Sequence, residues 1–314
     1  MTRLSQETAT SPSQLDVAVV IPTRNRPEKI GICLKAIAGQ TFPRDRFQVI
    51  VVDDGSDAPL DSVVAPFCNA MNLRLIRQAN AGPARARNVG AAHATAELLV
   101  FTDDDCEPDA EWMGELVGAH RKAPEALIGG HTRNALFDNP YSAASQSLID
   151  YLYAYYASAP PGGRSSPGFF TSNNFAVPSR VFAQLGGFDE TFPLAAGEDR
   201  EFCERWQAKG LRLQAVPEAI IDHAHNLSLG RFWRQHVNYG RGAFHLERAR
   251  LRHGRKALKR EPLRFYFRLL AHPVRMTGVA GLRLVPLMWL SQVANVVGYI
   301  RESKKPSSRR SAAK

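Results

Sequence analysis

The sequence predicts an α/β fold built on a mostly parallel sheet with helices on both faces. Three observations carry this. Short apolar runs recur at 17–21 (VAVVI), 47–52 (FQVIVV) and 96–101 (AELLVF), as expected of buried strands, and LRLIRQ at 73–78 is a further strand candidate. Helical stretches separate them. Each of three runs ends in a polar cluster, PTRNR, DDGSD or DDD. In open α/β sheets ligands bind beyond the carboxyl ends of the strands, where these clusters fall.

The elements follow in order. After the first run, Ile30, Cys33, Leu34 and Ile37 recur at i, i+3, i+4 and i+7, one face of an amphipathic helix. Residues 58–71 hold a second helix. GPARARNVGAAHA at 82–94 begins a third, with Pro83 suited to a first helical position. Beyond residue 126 the pattern changes. ALIGG reads as a strand, YSAASQSLIDYLYAYYAS as an aromatic-rich helix, and PPGGRSSPG at 160–168 as a loop with the length of a flap. FFTSNNFAVP reads as a strand. SRVFAQLGG reads as a short helix capped by Ser179 and ended by Gly186. GEDREFCERWQAKG is a helix pairing Phe202 with Trp206 and stopping at Gly210, and QHVNYGRGAF a helix interrupted at its Gly-x-Gly.

The chain has 314 residues, 44% of them hydrophobic and 22% charged, ample for one large domain or two ordinary ones. Cys33, Cys68, Cys106 and Cys203 form no CxxC pair, so neither a zinc ribbon nor a disulfide framework is indicated. Reduced thiols and a polar N-terminus without an apolar leader core point to the cytoplasm. The net charge of +10 is unevenly placed: residues 231–314 carry 20 Lys or Arg against 3 Glu, whereas residues 1–230 carry 20 basic and 27 acidic residues. That split describes a mildly acidic domain with a basic tail, a tail that suits an anionic membrane surface; nucleic acid is not an expected partner.

Adjacent carboxylates repel and coexist only with water, a basic partner or a cation. Asp103, Asp104 and Asp105, at the end of a buried strand, therefore read either as a solvated acidic turn or as a cation site. DDGSD at 53–57 is a second carboxylate cluster, and Asp-Gly there also favours a plain turn. Arg85 and Arg87, at i and i+2, cannot share a helix face, so at most one reaches the crevice. Glu198 and Asp199 open a helix, where acidic residues also serve as caps. His223 and His225 alternate onto one strand face.

VVIPTRNR, VIVVDDGSD, GPARARNVG, FTDDDCEPD, LGGFDETF and GEDREFCERW, in that order, resemble the family 2 glycosyltransferases, inverting enzymes of the GT-A fold. The resemblance covers roughly residues 16–245 and implies a metal-dependent transfer of a sugar from a nucleotide-diphosphate donor, UDP favoured, to an acceptor hydroxyl. By it Asp105 is the metal ligand for Mg²⁺ or Mn²⁺, and His223 is a further ligand or a structural histidine. Asp103 and Asp104 contact ribose or a metal-bound water. Asp54 accepts a hydrogen bond from the base, which Pro22 and Thr23 bracket, with Arg24 on the same segment. Arg87 reaches the diphosphate. Asp199 is the general base and Glu198 contacts a sugar. Gly186 and Gly187 allow the backbone close to the donor.

The organisation expected is a disordered lead-in (1–15), a GT-A domain (16–245) with a nucleotide half (16–125) and an acceptor half (126–245), and a basic helical tail (246–314). LVPLMWLSQVANVVGYI at 284–300 has no charged residue, yet Pro286, Ser291, Gln292 and Asn295 weaken a bilayer-spanning assignment. Two readings stand: an in-plane anchor that makes the chain peripheral on the inner face of the cell membrane, and a helix packed on the catalytic domain. The acceptor is a saccharide, a lipid-linked sugar or a polysaccharide, in keeping with a role in the cell envelope. A nucleotidyltransferase and a non-catalytic membrane-surface protein of the same fold are the alternatives.

Overall fold

A computed structural model describes residues 15–158, 168–257 and 261–305. The expected lead-in, most of the Pro/Gly/Ser loop and the C-terminal RESKKPSSRRSAAK beyond residue 305 lie outside the described residues.

The first half is a run of strands and helices: β1 (Val17–Thr23), α1 (Pro27–Ala38), β2 (Phe47–Asp53), α2 (Asp61–Cys68), β3 (Asn72–Arg77), α3 (Pro83–Ala92) and β4 (Leu98–Thr102). After β4 come a three-residue strand β5 (Cys106–Pro108), α4 (Trp112–Lys122), β6 (Leu127–Asn134), α5 (Pro140–Ser158), β7 (Asn174–Pro178), α6 (Ser179–Gln184), α7 (Glu198–Ala208) and β8 (Leu213–His223). The chain continues through α8 (Leu229–Arg252), α9 (Leu263–Thr277), a 3-10 stretch over 278–284, and α10 (Val285–Ser303).

The eight strands form one sheet in the order β3-β2-β1-β4-β7-β6-β8-β5. β1, β2, β3 and β4 are parallel, as the alternation of strands and helices predicts. The second half is mixed: β7 runs antiparallel between β4 and β6, and β5 antiparallel to β8. Parallel strands need crossover helices, whereas β7 pairs backwards and needs none.

β1 shows why its run is apolar throughout. Val17, Val19 and Ile21 pack with Ile30, Leu34 and Ile37 of α1 and with Trp112 and Leu116 of α4. Ala18 and Val20 face the opposite core, with Ala84 of α3, Phe182 of α6, and Phe202 and Trp206 of α7. The period-two alternation thus feeds two cores at once. A third core joins α5, α8, α9 and α10 through Tyr151, Phe232, Leu269 and Met288.

Two local expectations are corrected. Ser179 does not cap α6: the cap position is Pro178, and the Ser179 hydroxyl donates to the Ala96 carbonyl at 2.6 Å. The Gly-x-Gly at 240–242 does not interrupt a helix, because α8 is continuous through it. Both glycines are points of close approach. A Cβ at Gly240 would run into the Asn295 backbone of α10, and one at Gly242 into Ala196. Gly298 meets Val237 in the same way, so α8 and α10 pack backbone to backbone.

Candidate active site

The loops after β1, β2 and β4, the start of α7 and the end of β8 line one cleft of about 2280 Å³, roofed by α8 and α10. The first two loops brace each other. Asn25, at φ 55°, accepts from the Asp57 amide and donates its own amide to Ser56 Oγ, both at 2.8 Å. Pro22, Thr23 and Arg24 line the cleft beside Asp54. Asp54 is buried and accepts four hydrogen bonds: from Gln78 Nε2, Asn80 Nδ2 and the amides of Ala81 and Gly82, at 2.7–3.0 Å. A carboxylate has about four lone-pair sites, so this side chain fixes the entry to α3. Asp53, also buried, accepts from the Ser56 amide.

The three aspartates diverge. Asp103 is the most exposed and takes a 2.7 Å bond from Arg87 Nη2. Asp104 accepts from Thr23 Oγ1 at 2.7 Å and Arg26 Nη1 at 2.8 Å. Burial lifts its pKa to about 6, against the pull of Arg26. Asp105 Oδ1 lies 3.1 Å from His223 Nε2, and its Oδ2 3.3 Å from Lys29 Nζ and 3.2 Å from Arg26 Nη1. Burial would raise Asp105, but the His223 bond, with Lys29 and Arg26, holds it well below the usual carboxylate range. A plain solvated turn does not bury two of three acids among these cations.

Arg87 is the side chain that joins the two halves. It is 2% exposed, bonded on one side to Asp103 and on the other, at 3.1 Å, to Glu198 Oε1. Arg85, by contrast, is exposed and 3.9 Å from Glu190. Gly197, in a left-handed conformation at φ 93°, turns the chain into α7 and delivers Glu198 and Asp199. Burial first, and then the neighbouring Asp199 charge, raise Glu198 to about 7. Asp199 is raised too, chiefly by burial. Its Oδ1 accepts from the Arg200 amide at 2.7 Å and its Oδ2 from the Ser172 amide at 3.3 Å. Glu198 Oε2 and Arg87 Nε are buried without a partner among the described residues.

His223 and His225 do lie together, with ring centroids 5.1 Å apart. Burial lowers His225 to about 4. Gly186 and Gly187 are not in the cleft lining. Asn88 bonds both the amide and the carbonyl of Phe188, so the tight turn is shaped around Asn88. Sequence reasoning missed Arg26, Lys29, Cys106 and Ser172. Arg26 and Lys29 sit at the mouth of α1, where a basic pair facing the DDD strand end was the available signal.

Residues that could hold a metal are Asp105 and His223, whose ligand atoms, with Cys106 Sγ, lie within 4.8 Å of one another. Burial keeps the Cys106 thiol protonated, which leaves a carboxylate and an imidazole. Hard divalent ions take the carboxylate, and the nitrogen favours a transition ion such as Mn²⁺ over Mg²⁺.

The Glycosyl transferase family 2 profile matches residues 18–184, and a Glycosyl transferase family group 2 profile matches 151–300. The chain belongs to glycosyl transferase family 2. A pre-mycofactocin glycosyltransferase of Mycobacterium tuberculosis is 31% identical over 234 residues, 74% of this chain and 47% of that protein. A validoxylamine A glucosyltransferase of Streptomyces hygroscopicus is 28% identical over 65% of this chain and 54% of its own. The chain thus spans about half the length of these curated relatives. Among solved structures, a mannosyltransferase from Pyrobaculum calidifontis in complex with GDP-Man and Mn2+ superposes with a TM-score of 0.64 at 19% identity, covering 95% of this chain and 91% of that one. TarS of S. aureus in complex with UDP-GlcNAc gives 0.56 at 16% identity over 91% and 89%. The GT-A fold is common to all three.

Proposed function

We propose that this chain transfers a sugar from a nucleotide-diphosphate donor to an acceptor hydroxyl with inversion at the anomeric carbon. The observation that carries it is the Arg87 bridge, which sets the carboxylates of α7 against the DDD cluster across one cleft. Similar folds solved with GDP-Man and UDP-GlcNAc support a nucleotide-sugar donor.

Asp199 is the base. Two backbone amides orient its carboxylate, and its raised pKa gives it the basicity to take the acceptor proton as the new C–O bond forms and the sugar–phosphate bond breaks. Glu198 Oε2, buried and without a partner among the described residues, binds a sugar hydroxyl. Asp105 and His223 hold the divalent ion, which when bound neutralises the departing diphosphate. Asp103, Asp104, Pro22, Thr23 and Arg24 contact the nucleotide. Arg87 has both ends of its guanidinium committed, so its part is to hold Asp103 and Glu198 in place. Asp54 acts on the base through the loop it shapes; UDP is the first donor to test, with GDP and dTDP beside it.

The test is nucleotide titration with Mn²⁺ and then with EDTA, on the native chain and on Asp105→Ala. Selective binding that needs the metal and is lost in Asp105→Ala supports the reading. A folded sample that binds none of the three nucleotides overturns it.

A further inference from the structure

Among the described residues the third core leaves one side of α9 uncovered. Phe265, Leu269 and Pro273 are its buried residues, spaced i, i+4 and i+8. Leu263, Phe267 and Val274, at i, i+4 and i+11, form a second apolar stripe on a different face. Leu263 is 77% and Phe267 71% exposed. Arg264, Arg268 and Arg275 each follow a member of that stripe by one residue, so three arginines run parallel to it; all three are exposed. Among the described residues none of the three enters an ion pair. The corner after α9 adds Val279, 82% exposed, with Leu282 and Arg283 also exposed. From 262 to 301 the chain holds no acidic residue.

An apolar stripe edged by cations on a helix too polar to cross a bilayer is the pattern of a helix lying in a membrane interface. Residues 263–303 are long and apolar enough to be a candidate span, yet they are broken by the 3-10 stretch, and α10 lays Met288, Ser291, Ala294 and Gly298 inward, closely packed on α8. We infer that the exposed stripe of α9 and the corner that follows seat the protein on an anionic lipid surface. The contact is thus centred on 263–283, ahead of the uncharged 284–300 segment that draws attention in the sequence; in that segment Val296 and Ile300 line the cleft, and Trp289 is an exposed apolar residue outside it. Tyr266, on the other flank of the stripe, lines the cleft together with Phe265 and with Tyr299 of α10. A bilayer against α9 therefore lies at the cleft's rim, which favours a membrane-borne acceptor.

The lipid contact does not depend on the donor chemistry, and nucleotide titration of the same sample reports on that separately. The test is co-sedimentation of the full chain with vesicles of phosphatidylcholine alone and of phosphatidylcholine with phosphatidylglycerol, at low and high salt, alongside its mass in solution. Binding that needs phosphatidylglycerol and weakens with salt is expected. Arg264→Gln and Arg268→Gln should each lower partitioning about fivefold, and Phe267→Ser roughly tenfold or more. All three sites are exposed, so the fold should be retained. Equal binding to both vesicles, no binding by a folded sample, or variants that bind like the native chain would overturn the inference. So would a dimer that Phe267→Ser dissociates, since a second copy would then be the occupant.

Discussion

Arg87 Nη1 stands 3.1 Å from Glu198 Oε1, across 111 residues of sequence, with both side chains withdrawn from solvent. A charge buried this fully persists only with partners, and Asp103 supplies the second. Removing the arginine leaves two carboxylates facing each other without a cation. Arg87→Met should therefore lower unfolding stability by about 3–5 kcal/mol in a urea titration. It should also push the Glu198 pKa higher, because Arg87 is the group that opposes burial there. Arg87→Lys should recover only part of the stability, since a single ammonium cannot fork to both acids.

The paired carboxylates set the pH dependence. Glu198 sits near 7 against an ordinary 4.5, so the folded chain binds a proton that the unfolded chain has released between those values. Its contribution to stability is complete below about 4.5 and is lost as pH rises toward 7. Transfer runs the other way, because the proposed base must be ionised. The rate per donor should climb with pH through a limb above the ordinary carboxylate range, because burial raises Asp199, and that limb belongs to the Glu198–Asp199 pair. Glu198→Gln removes a neighbouring negative charge and should move that limb to lower pH. An unmoved limb in a pH–rate profile would detach Glu198 from it.

Asp199→Asn is nearly isosteric and can still accept from the Ser172 amide. Nucleotide affinity should stay within about twofold of native, while kcat falls by roughly 10²–10⁴. Isothermal titration and a transfer assay separate the two. Transfer at the native rate would remove Asp199 from the role of base.

Asp105 and His223 predict an ordered loss of metal. Loss of an outer-shell partner costs about 10–100-fold in metal affinity, so Asp105→Ala, which deletes a ligand, should cost more than roughly 100-fold. His223→Ala should cost less with Mg²⁺ than with Mn²⁺, because only the latter gains from the imidazole nitrogen. Equal losses for the two ions, read by titrating nucleotide affinity against metal, would argue that His223 serves only to bond Asp105.

Much of this was legible in the sequence, and the rest was hidden for physical reasons. β1, β2 and β4 are continuous apolar runs because both faces of each are buried, and the polar clusters mark where burial stops. The antiparallel placing of β7 leaves no such trace, since five buried residues read alike in either direction. Arg87 was expected at the diphosphate. Its spacing with Ala84 and Gly90 put it on the small-residue face of α3, which packs on β1 and β2; that pattern was the signal for a buried arginine. The bonds of Asp105 to Lys29 and His223 join residues 76 and 118 positions apart, and no local periodicity encodes them.

Gly240 and Gly298 bring the last prediction, on the α8–α10 contact. A Cβ at Gly240 would strike the Asn295 backbone and one at Gly298 the Val237 backbone, and backbone cannot turn aside as a side chain can. Either substitution to alanine should overpack the contact by about 1–3 kcal/mol, despite the gain in helix propensity. Below the contact, Glu302 accepts from Arg241, His245 and Lys305, and these bonds hold it near 2 although burial raises it. That clasp ties the end of α10 to α8 wherever the glycine packing loosens. Gly240→Ala should therefore raise amide exchange first in α10 near Asn295, with α1 to α4 unaffected. Uniform exchange throughout the chain would mean that α10 is part of one cooperative unit with the sheet.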